Sequence, residues 1–215
     1  ACTCPSCTAI GNTEKNATPA VTELILRLSQ RFPRHFFFTT SYLTTQQVTD
    51  KQLPPNAGVI VSAINFPLRR IDGKDAKEKA FAGQLEQWKN VTKNIYIWDY
   101  INNFDDYLTP MPILKIARQR LQFFKQHGAS GIFFNGSGYS YSSFDEMRTF
   151  VLSALLINPE LSVDNLTASF FNQEYPAAKK WLYDYYTDLE NGTQSGKRLG
   201  IYASIRESEK AYLTP

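Results

Sequence analysis

The spacing of apolar residues predicts a series of amphipathic helices. Thr18 and Pro19 form an N-cap and first-turn pair, and apolar residues then recur at helical spacing until Pro33. Ser143, with Glu146 three residues later, predicts a capping box for a very apolar helix that runs to about residue 158. The first of these helices covers residues 19–32, and the other predicted helices cover residues 76–88, 113–127, 163–173 and 176–190.

Four short runs of apolar residues predict β-strands. Each run is rich in aromatic and β-branched residues and is too short for a helix. Three of the runs are apolar at consecutive positions rather than at alternate ones, which is typical of strands buried on both faces of a sheet. The predicted strands lie near residues 36–42, 58–64, 94–99 and 130–135.

The order of these elements predicts an α/β fold. Strands that alternate with helices or long crossovers indicate a parallel sheet built from (β/α) units. Four such units are compatible with an open doubly wound sheet and with half of an eight-stranded barrel. Periodicity alone does not choose between these two architectures.

The composition is that of a globular domain. The chain has 215 residues, of which 43% are hydrophobic and 14% aromatic. Its mean hydropathy is −0.33, and no apolar run approaches the ~18 residues of a membrane span. The 23 basic and 20 acidic residues are spread along the chain, so the net charge of +3 does not favour nucleic-acid binding.

The ends of the predicted strands carry the candidate binding residues, because ligands bind at the carboxyl ends of strands in both architectures. Aromatic faces can stack on the C–H surfaces of a sugar while amides and carboxylates bond its hydroxyls, so these residue types favour a carbohydrate ligand. The alternative is that the aromatic residues only close the hydrophobic core. The candidates are Tyr42, Asn65, Trp98, Asp99, Tyr100, Asn135 and Tyr139.

Few carboxylates lie at the ends of the predicted strands. Hydrolysis of a glycosidic bond normally requires two carboxyl groups that flank the bond. Asp99, Asp105 and Asp106 qualify by position, whereas Glu146 is explained by the capping box. Because all three lie on one strand and its loop, they do not define a pair across a site. Asp99 is the candidate catalytic residue, and Asp105 and Asp106 are interpreted as loop or cap residues.

Three cysteines, Cys2, Cys4 and Cys7, lie close together near the start of the chain. Thiolates at this spacing can share a zinc ion, but a closed structural site needs four ligands, and the two histidines, His35 and His127, lie at a helix–strand junction and a helix end. One disulfide and three free thiols are both compatible with the spacing. We therefore predict no metal site, and the lack of a phosphate- or dinucleotide-binding pattern predicts no cofactor.

Three motifs carry a specific resemblance: WDYINNF at 98–104, YLTPMP at 107–112 and FFKQHGASGIF at 123–133. They closely resemble a bacterial domain family of unknown function that is related to glycoside hydrolases such as α-glucuronidases and β-hexosaminidases. The cysteine cluster and the helix ending LLINP at 155–159 fit the same family. The resemblance implies the C-terminal half of a (β/α)8 TIM-type barrel, strands five to eight, followed by extra helices. It also implies a secreted protein, in the periplasm or outside the cell.

The function implied by the resemblance is carbohydrate-active and glycoside-hydrolase-like. In the hexosaminidase relatives a catalytic acid follows strand four, which would lie upstream of Ala1, so we expect this chain alone to be inactive. Asn65 and Phe134 stand where many relatives carry acidic residues, and neither an amide nor a phenyl ring can act as a general acid. The alternative function is a non-catalytic glycan-binding or structural module.

The ends of the chain suggest a piece of a longer protein, because Ala1 is not an initiator Met and both ends are abrupt. We predict a half barrel over residues 1–190 and the start of a following segment over 191–215. The expected partners are a carbohydrate ligand, the missing N-terminal half of the barrel, and a second copy that associates through exposed strand edges. Neither nucleic acid nor a membrane span is expected.

Overall fold

The computed structural model describes residues 1–136, 142–193 and 198–213. Over these ranges the chain has a mixed α/β fold, and the four predicted strands are confirmed to within two residues at each end. The strands are β1 (Phe37–Ser41), β2 (Ala57–Ser62), β3 (Ile95–Tyr100) and β4 (Gly131–Asn135).

Two helices precede β1 and the others lie between and after the strands, and the longer ones agree with the periodicity. Two short helices, near residues 5 and 205, were not expected from the sequence. In chain order the helices are α1 (Pro5–Ala9), α2 (Thr18–Arg31), α3 (Ala76–Lys89), α4 (Leu114–Gln126), α5 (Asp145–Ile157), α6 (Val163–Glu174), α7 (Lys179–Gly192) and α8 (Ile205–Ser208). None of these described helices is long and apolar enough to cross a membrane, in agreement with the hydropathy.

The start of α2 is capped by residues other than the one predicted. Asn16 Oδ1 accepts a hydrogen bond from the Thr18 amide at 3.0 Å, and Asn12 Oδ1 accepts one from the Ala20 amide at 3.0 Å. Thr18 is the first helical residue and its hydroxyl donates to the Gln47 carbonyl at 3.1 Å. Asparagine side chains can replace a threonine cap because both supply an oxygen to the free amides of the first turn.

The capping box predicted for α5 is wrong. The helix begins at Asp145, so Ser143 lies one residue before the capping position, and its hydroxyl donates to the Leu108 carbonyl at 2.7 Å. The residue before α5, Phe144, lies in the left-handed region with φ 56°, and its side chain makes no capping bond. Glu146 is therefore an exposed residue of the first turn rather than half of a capping box.

The four strands form one parallel sheet in the order β1-β2-β3-β4. Ala57 lies opposite Phe37, and Val59 lies between Thr39 and Ile95. In a doubly wound sheet the strand order reverses at a switch point, and helices cover both faces. This order follows the chain without a reversal, which places successive right-handed crossovers on the same side.

Residue contacts divide the chain into two compact units. The first comprises Ala1–Asn65, Ala76–Asp99 and Phe124–Phe133, and the second comprises Phe66–Asp75, Tyr100–Phe123 and Phe134–Pro215. The described residues from Phe134 onward, on both sides of position 190, belong to the second unit. The domain boundary expected at 190/191 stays a prediction.

The sheet of the first unit has one covered face and one open face. α3 lies on the covered face, where Gln84 donates from its Nε2 to Ser41 Oγ at 3.0 Å. By strand alternation and register, the open face carries larger side chains that are half-buried or exposed. The covered face includes the fully buried side chains of Ala57, Val59, Val61, Ile95, Ile97 and Asp99. The open face includes Phe38, Tyr42, Ile60, Tyr96, Trp98 and Phe133.

Two glycines allow aromatic rings to lie against the open face. A Cβ on Gly58 would lie 2.6 Å from the Phe38 ring and 2.4 Å from the Asn94 carbonyl oxygen, and one on Gly131 would lie 2.6 Å from the Tyr96 ring. The Phe38 and Tyr96 rings contact each other edge to face, with centroids 5.1 Å apart. Glycine inside these strands therefore reflects close packing of a ring on the backbone.

In the second unit, a buried carboxylate joins two helices. Glu190 of α7 accepts hydrogen bonds from the first amides of α4, those of Leu114 at 2.8 Å and Lys115 at 3.2 Å. The Tyr186 hydroxyl also donates to it at 3.1 Å. Burial raises the pKa of Glu190 above its ordinary value, although these three hydrogen bonds oppose the rise. Glu190 thus caps α4 from a distant part of the sequence.

Candidate functional site

Two of the predicted binding residues form a ring pair on the open face of the first unit. The ring centroids of Tyr42 and Trp98 lie 5.7 Å apart, and the ring planes are tilted by 50°. Both side chains are half-buried, so part of each ring faces solvent. Tyr42 follows β1 directly and Trp98 is near the end of β3, which places the pair at the carboxyl ends of the strands. The pair offers a flat apolar surface with a polar edge.

Hydrogen bonds hold Tyr42 in position. The Tyr42 carbonyl accepts from the Thr45 amide at 3.0 Å and from the Thr45 hydroxyl at 2.8 Å. The Ser41 hydroxyl donates to the Gln46 carbonyl at 2.9 Å and accepts from Gln84 of α3. Because the backbone on both sides of Tyr42 is fixed, little ordering entropy would be lost when a ligand binds to its ring.

The turn that follows Tyr42 is strained and tied to α2. Leu43 has φ 49°, a value that is uncommon for a residue with a side chain, and it is 69% exposed. The Thr44 carbonyl accepts from the Ala17 amide at 2.7 Å, which anchors the turn. Strained backbone of this kind persists where the surroundings hold it, and it is common at ligand sites.

Two hydroxyl residues share the open face with the ring pair. Ser62 lies opposite Trp98 in the strand register and is buried, whereas Thr40, two residues before Tyr42, is exposed. The Thr40 and Thr45 hydroxyls lie 3.4 Å apart. Hydroxyls both donate and accept hydrogen bonds, as sugar hydroxyls do. The arrangement therefore combines a stacking surface with polar groups at its margin.

Asn65 lies in a different part of the first unit. It lines an open cavity of about 750 Å³ between α3 and the loop that follows β1. Val48, Ala80 and Phe81 supply apolar walls. The polar lining consists mainly of amides and one ammonium group: Gln46, Gln47, Asn65, Lys77, Gln84 and Gln87. No signal in the sequence marks these glutamines, because glutamine is also common on exposed helix faces that have no function.

Asp99 is placed away from the ring pair. Its side chain has no exposed surface and lies on the covered face with Ile95 and Ile97, whereas its neighbour Trp98 is on the open face. Successive residues of a strand point to opposite faces, so adjacency in the sequence separates these two side chains. A ligand on the open face would not contact the Asp99 carboxylate in this conformation, and its catalytic role stays a prediction.

Asp105 and Asp106 lie in the second unit, in the loop that follows β3. Asp105 is exposed. Asp106 accepts from the Leu108 amide at 3.1 Å, the Thr109 amide at 3.0 Å and the Thr109 hydroxyl. Burial raises the pKa of Asp106, but the bonds from Thr109 and Leu108 outweigh it and hold the pKa below its ordinary value. An ionised carboxylate that fastens a turn is unsuited to protonate a leaving group, which supports the interpretation of Asp106 as a cap.

The remaining candidates belong to the second unit or lie outside the described ranges. Tyr100 is 5% exposed and its ring packs on Phe104, with centroids 6.1 Å apart, as a core residue would. Asn135 is half-buried, and its carbonyl accepts from the Ile101 amide at 3.1 Å. Tyr139 lies outside the described residues.

A family model described as a domain of unknown function, DUF4838, matches residues 1–188 of the chain. No curated protein matches the chain, and no solved structure does. The family match covers all four strands and the ring pair.

Proposed function

The chain belongs to the DUF4838 family, and from this premise we propose that it is a carbohydrate-active, glycoside-hydrolase-like domain that binds a sugar at Tyr42 and Trp98. The observation that carries the proposal is the ring pair itself. It is aromatic, partly exposed and held in position by the hydrogen bonds of the loop behind it. An exposed aromatic pair fixed in this way is suited to a ligand that has flat apolar faces and hydroxyl edges, which describes a sugar ring.

The architecture supports a half barrel as the setting of this site. In a (β/α)8 barrel the strands are parallel, their order follows the chain and the helices lie outside. Each of these features agrees with the sheet order and with the covered face that carries α3. The open face would then be the barrel interior, in which the rings of Phe38 and Tyr96 form a packed layer and the ring pair forms the ligand-binding end.

The binding mode follows from the positions of the polar groups. A sugar ring stacked on Trp98 would present its edge hydroxyls to Tyr42 and Thr40, which lie on the same face. Aromatic contacts of this type discriminate sugars by the shape of their apolar face. Hydroxyls at the margin then fix the orientation, as the few polar groups of a ligand site commonly do.

The non-catalytic alternative is favoured by the carboxylates. Asp99 is fully buried on the opposite face, and Asp106 has a lowered pKa, so neither supplies an accessible general acid beside the ring pair. The function proposed for the chain itself is therefore sugar binding. Hydrolysis by a longer protein would use a carboxyl group other than these two.

Titration calorimetry of the full chain with oligosaccharides tests the binding function. Chitotetraose and glucuronoxylan oligosaccharides are the probes, since the resemblance points to hexosaminidases and glucuronidases. Truncation of a central aromatic anchor costs roughly 2 kcal/mol or more, about a 30-fold loss of affinity. We expect a loss of this size for Trp98→Ala and Tyr42→Ala. Trp181→Ala is the matched control, because Trp181 is 72% exposed on a helix of the second unit.

Three outcomes would count against the proposal. They are the absence of binding to either oligosaccharide class, equal losses for Trp98→Ala and Trp181→Ala, and no loss for either open-face variant. Turnover of aryl glycosides by the full chain would establish hydrolysis, whereas its absence is expected, because the resemblance places the catalytic acid upstream of Ala1. Turnover abolished by Asp99→Asn, with binding retained, would restore Asp99 as the catalytic residue.

A further inference from the structure

The three cysteines of the chain come together in the first unit. Their sulfur atoms all lie within 4.8 Å of one another, although no two of them are bonded. Cys2 and Cys4 are exposed and Cys7 is half-buried. The sequence predicted no metal site and left a disulfide and free thiols open, whereas in the structure all three sulfur atoms lie close enough together to share one ion.

The backbone that carries the thiols is anchored by a buried residue. Asn12 is 4% exposed, and its Nδ2 donates to the Cys2 carbonyl at 3.2 Å while its Oδ1 accepts from the Ala20 amide of α2. The Asn12 amide also donates to the Cys7 carbonyl at 3.0 Å. The positions of Cys2 and Cys7 are thus fixed relative to α2 through one residue, which uses both its side chain and its backbone amide. A cluster held in this way does not depend on a bound ion for its shape.

We propose that Cys2, Cys4 and Cys7 form a three-thiolate site for a thiophilic d10 cation such as Zn²⁺. Zinc–sulfur bonds of about 2.3 Å place the sulfur atoms of a site roughly 3.8–4.0 Å apart, so the observed cluster needs to contract by less than about 1 Å. Thiolates select soft or borderline cations over Mg²⁺ and Ca²⁺. The fourth coordination position would be open to water or to an outside ligand, because Cys2 and Cys4 are exposed.

Binding at the cluster must balance in charge and in protons. Three thiolates and one Zn²⁺ give a complex with a single negative charge, and each thiol that is still protonated releases its proton to the buffer when its sulfur binds the ion.

The test uses the full chain, reduced and free of chelators, titrated with Zn²⁺ against a chromophoric chelator. We expect one Zn²⁺ per chain and release of about two to three protons per ion in weak buffer at pH 8. Titration with Cd²⁺ should give an ultraviolet thiolate-to-metal absorption whose intensity corresponds to three thiolates.

Single-residue variants distinguish a three-thiolate site from nonspecific binding of Zn²⁺ to any thiol. Each of Cys2→Ser, Cys4→Ser and Cys7→Ser should weaken Zn²⁺ binding at least about 10-fold, a loss that even an outer-shell partner of a ligand can cause. Ser6→Ala, in the same turn, is the matched control and should bind as the parent chain does. Circular dichroism of each variant verifies that the fold is kept.

Three results would overturn the proposal. The first is Zn²⁺ binding that survives any single Cys→Ser change, and the second is fewer than three thiolates in the Cd²⁺ spectrum. The third is a count of one free thiol per chain in a glutathione buffer that keeps ordinary exposed cysteines reduced, because two of the cysteines would then form a disulfide rather than bind the metal. Sugar binding at Tyr42 and Trp98 does not enter either measurement.

Discussion

The contact between Glu190 and the start of α4 yields the sharpest prediction about stability. Glu190→Ala removes the acceptor for the amides of Leu114 and Lys115 and for the Tyr186 hydroxyl. Leu114 and Tyr186 are almost completely buried, so water cannot replace the lost acceptor without entering the core of the second unit. We therefore expect the start of α4 to lose its cap and α7 to lose its connection to α4.

The magnitude follows from the number of groups left without a partner. A buried polar group that loses its partner costs about 1–3 kcal/mol. Lys115 is half-buried and can be partly solvated, so the two fully affected groups give a total of about 2–6 kcal/mol. For a chain of this size, 1 kcal/mol corresponds to about 2–4 °C, and the midpoint of thermal unfolding should fall by roughly 4–24 °C.

The assay is urea unfolding followed by circular dichroism, with Glu174→Ala as the control. Glu174 is exposed at the end of α6, and its substitution should change the free energy of unfolding by no more than about 0.5 kcal/mol. A loss below about 1 kcal/mol for Glu190→Ala, or an equal loss for the control, would refute the role assigned to the buried carboxylate.

The pH dependence of the Glu190→Gln variant tests the same contact independently. Since burial raises the pKa of Glu190 above its ordinary value of 4.5, ionisation is less favourable in the folded chain than in the unfolded one. The contribution of Glu190 to stability is thus complete below about pH 4.5 and is lost as the pH rises through the raised value. Stability of Glu190→Gln relative to the parent should increase over that range, and a flat difference would contradict the raised pKa.

Three further substitutions have expected effects on the free energy of unfolding, measured in urea. Gly58→Ala should destabilise by about 1–3 kcal/mol, because its Cβ would lie 2.4 Å from the Asn94 carbonyl oxygen; a neutral effect would contradict the close packing of the open face. Gly83→Ala, inside α3 with no atom within 4 Å of the added Cβ, should stabilise by about 0.5–1 kcal/mol, and a loss would contradict the free space seen there. Arg120→Lys should destabilise by about 1–3 kcal/mol, because the buried guanidinium donates to the Pro67 carbonyl at 2.8 Å and an ammonium group cannot reproduce that geometry. If the variant kept full stability, a positive charge alone would be sufficient at this position.

Secondary structure was largely readable from the sequence. The runs near 58–64 and 94–99 are apolar at consecutive positions because one face of each strand is buried beneath a helix and the other carries large apolar side chains of the open face, although burial of both faces by helices was expected. Helix boundaries were less predictable to within one residue. Ser143 was expected to cap α5, but the helix begins one residue later than that role requires, and the Ser143 hydroxyl donates to the carbonyl of Leu108, which is distant in sequence.

Which residues form the candidate site depended more strongly on tertiary structure than the helices and strands did. Tyr42 and Trp98 were identified because residues at strand ends cluster in any parallel sheet, and their rings do meet. Asp99 was chosen for the same reason, yet the two-residue period of a strand turns it to the opposite face from Trp98. No local signal reveals which face of a sheet the helices will cover.

What the sequence determined by itself was the set of elements and their parallel arrangement, because periodicity and turn residues act over a few neighbours. Only the tertiary structure decided which side chains share a site. Glu190 caps a helix that starts 76 residues earlier, and the meeting of Cys2, Cys4 and Cys7 depends on an anchor at Asn12 that their spacing does not specify. Such contacts depend on the path of the whole chain, because the energy of a hydrogen bond or a thiolate cluster is gained only after distant segments have packed.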